Sequence, residues 1–183
     1  MKKNIVKAIS TWRELDVDLF NGLDIGVEIQ DFVEPNLTID EISHIITYYL
    51  ERLNGIRNLV TIHGPFLDLK PSSPDEMIRE ISRIKYKRTL EIANILNVNH
   101  VIFHSQINPY LNQPSLKKLN NKQASEFWHG LLEEVKDYKG IILLENIFEE
   151  TPQMLHELLM EIDHHRIKIN LDIGHAKLGR VDT

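Results

Sequence analysis

Residues Arg166–His175 read RIKINLDIGH. Ile167, Ile169 and Leu171 alternate with polar residues, the pattern of a buried strand. The run passes straight into Asp172, Gly174 and His175. A hard carboxylate and an imidazole, spaced Asp-x-x-His just past a strand, make half of a metal or proton-transfer site. The spacing alone is common by chance. Three earlier apolar runs, Val60–His63, Val101–His104 and Ile141–Glu145, end in the same way. Each delivers an ionisable side chain at its carboxyl end, and that repetition is the main functional signal in the chain.

The 183 residues suffice for one sizeable core, and nothing in them suggests a second domain, so residues 1–183 read as a single domain. Hydrophobic content of 42% and charged content of 26% are ordinary for a globular protein. There is no cysteine, hence neither a disulfide framework nor thiolate chemistry. A cysteine-free chain fits a reducing cytosol, and the expected location is cytoplasmic. The start, MKKNIVKAISTW, has too short an apolar run for a signal peptide. No apolar stretch approaches the ~18 residues of a membrane span. A net charge of −6 argues against nucleic acid as a partner, although a local basic patch would escape that argument.

In chain order, Asn4–Ser10 and Leu23–Ile29 read as strands, with a short helix or loop over Thr11–Asn21 between them. Thr38–Asn54 has helical apolar spacing, with Thr38 or Asp40 as cap and Asn54-Gly55 as stop. Leu59–His63 is the third strand, broken by Gly64-Pro65. A helix follows from near Pro74 to about Leu96, then a strand over Val98–His104. Ser105–Asn121, rich in asparagine, reads as a long surface loop, and Lys122–Tyr138 as an amphipathic helix. Ile141–Glu145, Pro152–Ile162 and Ile167–Asp172 complete a strand, a helix and a sixth strand.

Six alternations of strand and helix predict right-handed crossovers and a parallel sheet. Active residues then gather at the carboxyl ends of the strands. No Gly-x-Gly-x-x-Gly or Walker-type loop follows any strand, which disfavours an open nucleotide-binding sheet. The fold class expected is α/β, a TIM-type (β/α) barrel with about six of its eight units.

Glu145 follows four consecutive aliphatic residues, and burying a carboxylate there is costly unless it is paired, hydrogen-bonded or bound to a metal. The alternative is a strand-end glutamate facing water or a neighbouring cation. Asp172 has a rival reading as the N-cap of the next helix. His63 and His104, each leaving an apolar run, suggest a shared pocket, though strand-end histidines are often structural. Glu28 points either into the barrel mouth or to an outer salt bridge. His164 and His165 read as surface, and His44, His100, His129 and His156 as structural; Trp12 and Trp128 look like packing residues.

The segments GVEIQ, TIHGPF, VIFHS, ILLEN and LDIGH, in this order and at comparable spacing, resemble the xylose-isomerase-like barrel superfamily over essentially the whole chain. That superfamily includes sugar and sugar-phosphate isomerases/epimerases and endonuclease IV-type repair enzymes. The resemblance implies that Glu145 and Asp172 ligate a divalent metal and that Glu145 and His175 are catalytic. His175 would lie beside the substrate or, in the endonuclease-like branch, on a second metal. His63 and His104 would line the substrate pocket, or join a multi-zinc cluster in the endonucleases. Glu28 matches an acidic position near that pocket.

The family's seventh and eighth strands supply a further histidine and glutamate, and neither is present here. A full barrel takes about 250 residues, with about 200 near the low end. The expectation is therefore a barrel short of its C-terminal quarter, a truncated product or one completed by another chain. Its open edges invite pairing, which leaves room for a homo-oligomer. The implied function is a metal-dependent sugar or sugar-phosphate isomerase/epimerase acting through a metal-stabilised enediolate on a small carbohydrate. This piece alone is expected to be nearly inactive. Oxygen ligands favour Mn²⁺ or Mg²⁺, and more histidine favours Zn²⁺ or Co²⁺. The alternatives are an abasic-site nuclease of the endonuclease IV type and an inactive barrel that binds a ligand or partner.

Overall fold

The computed structural model describes residues 5–108, 113–149 and 151–178. Six parallel strands form one sheet in chain order. They are β1 (Val6–Ile9), β2 (Gly26–Ile29), β3 (Val60–His63), β4 (His100–His104), β5 (Ile141–Glu145) and β6 (Ile167–Asn170). The main helices between them are α1 (Val17–Gly22), α2 (Ile39–Arg52), α3 (Glu76–Ile95), α4 (Pro114–Glu134) and α5 (Pro152–Ile162), and α6 (Ile173–Leu178) follows β6. Every strand is thus followed by a helix, as the alternation of patterns predicts. No helix among the described residues is long and apolar enough to cross a membrane.

The ladder register decides which side chains share a face, because aligned residues of neighbouring strands point the same way. Ile29, Ile62, Val101, Ile142 and Ile167 align on one face, with Phe103 and Leu144 two residues further along their strands. All are buried under the helices. Their partners there include Tyr86, whose ring stacks on Phe103 at 4.2 Å, and Trp128. The opposite face carries Ala8, Glu28, Thr61, His63, Ile102, His104, Leu143, Glu145 and Lys168. Ala8 and Lys168 are exposed on it, so this is the concave inner side of an incomplete barrel. β1 and β6 each have a single neighbouring strand among the described residues.

Several boundaries differ from the sequence reading. β2 begins at Gly26 because Leu23 still closes α1 and Asp24 adopts a left-handed backbone at φ 54°. β4 begins at His100, since the chain is still turning out of α3 at Asn97, φ 54°. The expected loop over Ser105–Asn121 is shorter. α4 starts at Pro114, in the first-turn position where a missing N–H costs nothing. Asn120, on that helix, is buried and accepts a hydrogen bond from Ser72 Oγ at 2.7 Å, a tertiary contact that overrides its poor helix propensity. α4 also ends at Glu134, before the expected Tyr138. Asn4 and residues 109–112 of the expected loop lie outside the described residues.

Other local signals are realised directly. Thr38 caps α2 in a reciprocal box with Glu41, which selects it over Asp40. Trp128 is fully buried, and Trp12 packs on Tyr48 with ring centroids 4.6 Å apart. On α3, by contrast, Met77, Ile81, Ile84 and Ile95 are exposed, and Tyr86, Leu90 and Ala93 face the core.

Candidate metal centre

β3, β4 and β5 end on His63, His104 and Glu145, so the strands themselves carry these side chains to the carboxyl rim. The register sets all three, with Glu28 and Asn170, on the inner face. Glu145 Oε1 lies 3.5 Å from His104 Nε2, 4.0 Å from His63 Nε2 and 3.5 Å from His175 Nδ1. Glu145 is only 6% exposed, and no lysine or arginine among the described residues reaches it. A buried carboxylate with no lysine or arginine beside it, flanked by imidazoles and one side-chain amide, is a site that a cation would complete.

Backbone carbonyls set the tautomer of two of the imidazoles. His63 Nδ1 donates its N–H to the Gly64 carbonyl at 2.8 Å, which leaves the unprotonated Nε2 facing Glu145. His175 Nδ1, the ring nitrogen 3.5 Å from Glu145 Oε1, donates to the Asn146 carbonyl at 2.8 Å, which puts the lone pair on Nε2. Donation of one ring N–H to a backbone carbonyl is the usual support of a metal-ligating histidine. His104 Nε2 faces Glu145, and its Nδ1 is buried with no hydrogen-bond partner. Burial pushes the His63 pKa down, against the opposing pull of the Gly64 carbonyl and the Glu28 and Glu145 charges. A neutral imidazole is the state a metal requires.

Ligand atoms of two groups lie within 4.8 Å of one another: His63, His104 and Glu145, and Glu145, Asp172 and His175. Glu145 belongs to both. The donor set would suit a divalent cation at either group. Asp172 lies beyond the end of β6, where its Oδ1 accepts the His175 amide at 2.7 Å. The capping reading of Asp172 is thus realised, and its carboxylate also lies in the second group. Glu28 is half-buried on the inner face, accepts a hydrogen bond from Gln30 Nε2 at 2.9 Å and acts electrostatically on His63. Its inward direction is thereby decided. His44, His129, His156 and His165 are exposed, and His164 is half-buried; none of them belongs to the cluster.

Three neighbours of the site escape the sequence reading. Asn170 Nδ2 donates to Glu145 Oε2, which leaves Oε1 for the imidazoles. Phe66 stacks on His104 at 4.5 Å and meets His63 edge-on, forming an aromatic wall. Asn146 binds the backbone of Asp172. Both asparagines stand inside the segments that carry the site, two residues before Asp172 and one after Glu145. Side-chain amides carry no charge signal, and only the register shows what they meet. A wider groove of about 560 Å³ lies between the ends of β1 and β2 and α2, and contains none of these residues.

The sequence model of the xylose isomerase-like TIM barrel family matches residues 18–181. The chain belongs to this family. An uncharacterised protein of Methanocaldococcus jannaschii, MJ1311, is 28% identical over 137 residues, covering 72% of this chain and 46% of its own length. The chain thus spans about half of that curated relative. Among solved structures, the TTHB071 protein from Thermus thermophilus, soaked with ZnCl₂, superposes with a TM-score of 0.73 at 20% identity, covering 95% of this chain and 67% of that one. A D-psicose 3-epimerase from Clostridium cellulolyticum H10, solved with D-tagatose, gives 0.70 at 19% identity, covering 99% and 67%. At these identities the likeness establishes the fold, a xylose isomerase-like barrel of which the described residues form six β/α units.

Proposed function

We propose that the chain carries the metal-binding part of a sugar or sugar-phosphate isomerase/epimerase. The observation that supports this reading is one buried carboxylate oxygen, Glu145 Oε1, within 4.0 Å of ring nitrogens from His63, His104 and His175 at the carboxyl rim. Glu145 and Asp172, with His175 or the His63–His104 pair, would hold a divalent cation. Such a cation, when bound, supplies Lewis-acid polarisation of a substrate carbonyl. The residues of the chain do the rest. Glu145 is the base within reach of the proton on the carbon beside that carbonyl, and Asn170 holds its other oxygen. His63 and His104 line the pocket with Phe66, whose ring face suits the C–H side of a sugar. The structural neighbour solved with D-tagatose supports a ketose as the substrate class.

A nitrogen-rich triad sharing its carboxylate with a second triad equally suits a multi-metal hydrolytic site, which is the specific support for a phosphodiester-cleaving repair nuclease. One experiment separates the two readings. The protein is incubated in D₂O with ketoses and their phosphates, in Mn²⁺, Mg²⁺, Zn²⁺ or Co²⁺, and followed by proton NMR. Metal-dependent deuterium entry at the carbon beside the carbonyl, lost in Glu145→Ala, supports the isomerase reading. Absence of exchange together with metal-dependent nicking of abasic-site DNA overturns it.

A further inference from the structure

We propose that Asn146 is the positioning residue that sets the Asp172 carboxylate and the His175 imidazole in register with Glu145. The β5–β6 ladder ends at Glu145 opposite Asn170, so no strand pairing holds the next residues, Asn146 and Leu171–Asp172. Flanking side chains do not hold them either, since Leu171 is 64% and Ile173 59% exposed. The Asn146 amide takes over. Its Nδ2 donates to the Asp172 carbonyl at 2.9 Å, and its Oδ1 accepts the Asp172 N–H at 2.8 Å. This pair of bonds to one residue reproduces a rung of strand pairing with a side chain, and Asn146 is itself buried.

The same residue reaches the second group through its main chain. The Asn146 carbonyl lies 2.8 Å from His175 Nδ1, and Asp172 Oδ1 accepts the His175 amide. Asn146 is covalently joined to Glu145. Three candidate ligands are therefore referred to a single dipeptide, with the His175 proton fixed on Nδ1 and its lone pair on Nε2. An amide places a donor and an acceptor side by side on two separate atoms, as the N–H and C=O of one residue require. Aspartate keeps the shape and the acceptor but loses the donor, and alanine loses both. Naming Asp172 and His175 as ligands rests on the function proposed above; their placement by Asn146 does not.

The test reads the His175 ring directly, by long-range ¹H–¹⁵N correlation on the metal-free full chain, with the signal assigned by its loss in His175→Gln. The expected wild-type spectrum is that of an Nδ1–H imidazole. In Asn146→Ala and the near-isosteric Asn146→Asp, the signature shifts to a mixture of tautomers while the circular dichroism of the Asp variant stays that of wild type. Competitive Zn²⁺ titration of the same variants should show a loss of about 10–100-fold, the range for removing an outer-shell support. A His175 signature and Zn²⁺ affinity unchanged in Asn146→Asp would overturn the proposal. If the wild type takes up no Zn²⁺, the metal reading fails by itself, and the ring signature still decides the role of Asn146.

Discussion

His63 couples the chemistry of the site to the stability of the fold. Burial lowers its pKa, so between that value and the ordinary imidazole value of about 6.5 the unfolded chain binds a proton that the folded chain refuses. Stability is then complete above about pH 6.5 and is lost as the pH falls through this window. The urea midpoint of the metal-free protein should drop between pH 8 and 5, and His63→Gln should flatten that drop; an unchanged slope in the variant would remove His63 as its source. Metal affinity should fall only below this window, where the folded ring itself takes up a proton, because only the neutral ring ligates. Ionisable residues at the ends of apolar runs were visible in the sequence, and His63, His104, Glu145, Asp172 and His175 do converge. Asn146, Asn170 and Phe66 were not visible, since their roles arise from contacts between segments distant in sequence.

At the scale of elements, two links hold the rim in place. Asp31, after β2, accepts the Trp12 amide at 2.8 Å and the Tyr49 hydroxyl at 2.5 Å, and so ties the end of β1 to α2. Burial raises its pKa despite these bonds. Asp31→Ala would strand both donors and cost about 1–3 kcal/mol in urea denaturation, whereas Asp31→Asn keeps an acceptor and should cost less. Equal losses in the two variants would refute that role. Gly64 follows β3, and a Cβ placed there would lie 2.1 Å from the fully buried Phe103 ring. Gly64→Ala should therefore destabilise by about 1–3 kcal/mol and displace the carbonyl that orients His63. A wild-type urea midpoint in that variant would show that the ring gives way freely. Periodic and capped elements such as α2 were legible in sequence, whereas the first turns of α4 were hidden by polar composition that includes Asn120, which a tertiary contact holds in the helix.

For the molecule as a whole, alternation of strands and helices was enough to read the parallel sheet and its order, while the make-up of the inner face emerges only from the register. β6 has one neighbouring strand among the described residues, and Ile169 and Leu171 are exposed beside it. An apolar edge of this kind recruits other strands. Light scattering across a dilution series should show concentration-dependent association that Ile169→Lys reduces; a monomer at all concentrations would speak against an adhesive edge. The most direct measurement of the metal centre is the metal content of the protein after exposure to Mn²⁺, Mg²⁺, Zn²⁺ or Co²⁺ and gel filtration, read by mass spectrometry for wild type and Glu145→Ala. One or two ions retained by the wild type and lost from Glu145→Ala are expected, because Glu145 is common to both ligand groups. A wild type that retains none, or a Glu145→Ala variant that retains as much, would contradict a metal centre built on Glu145.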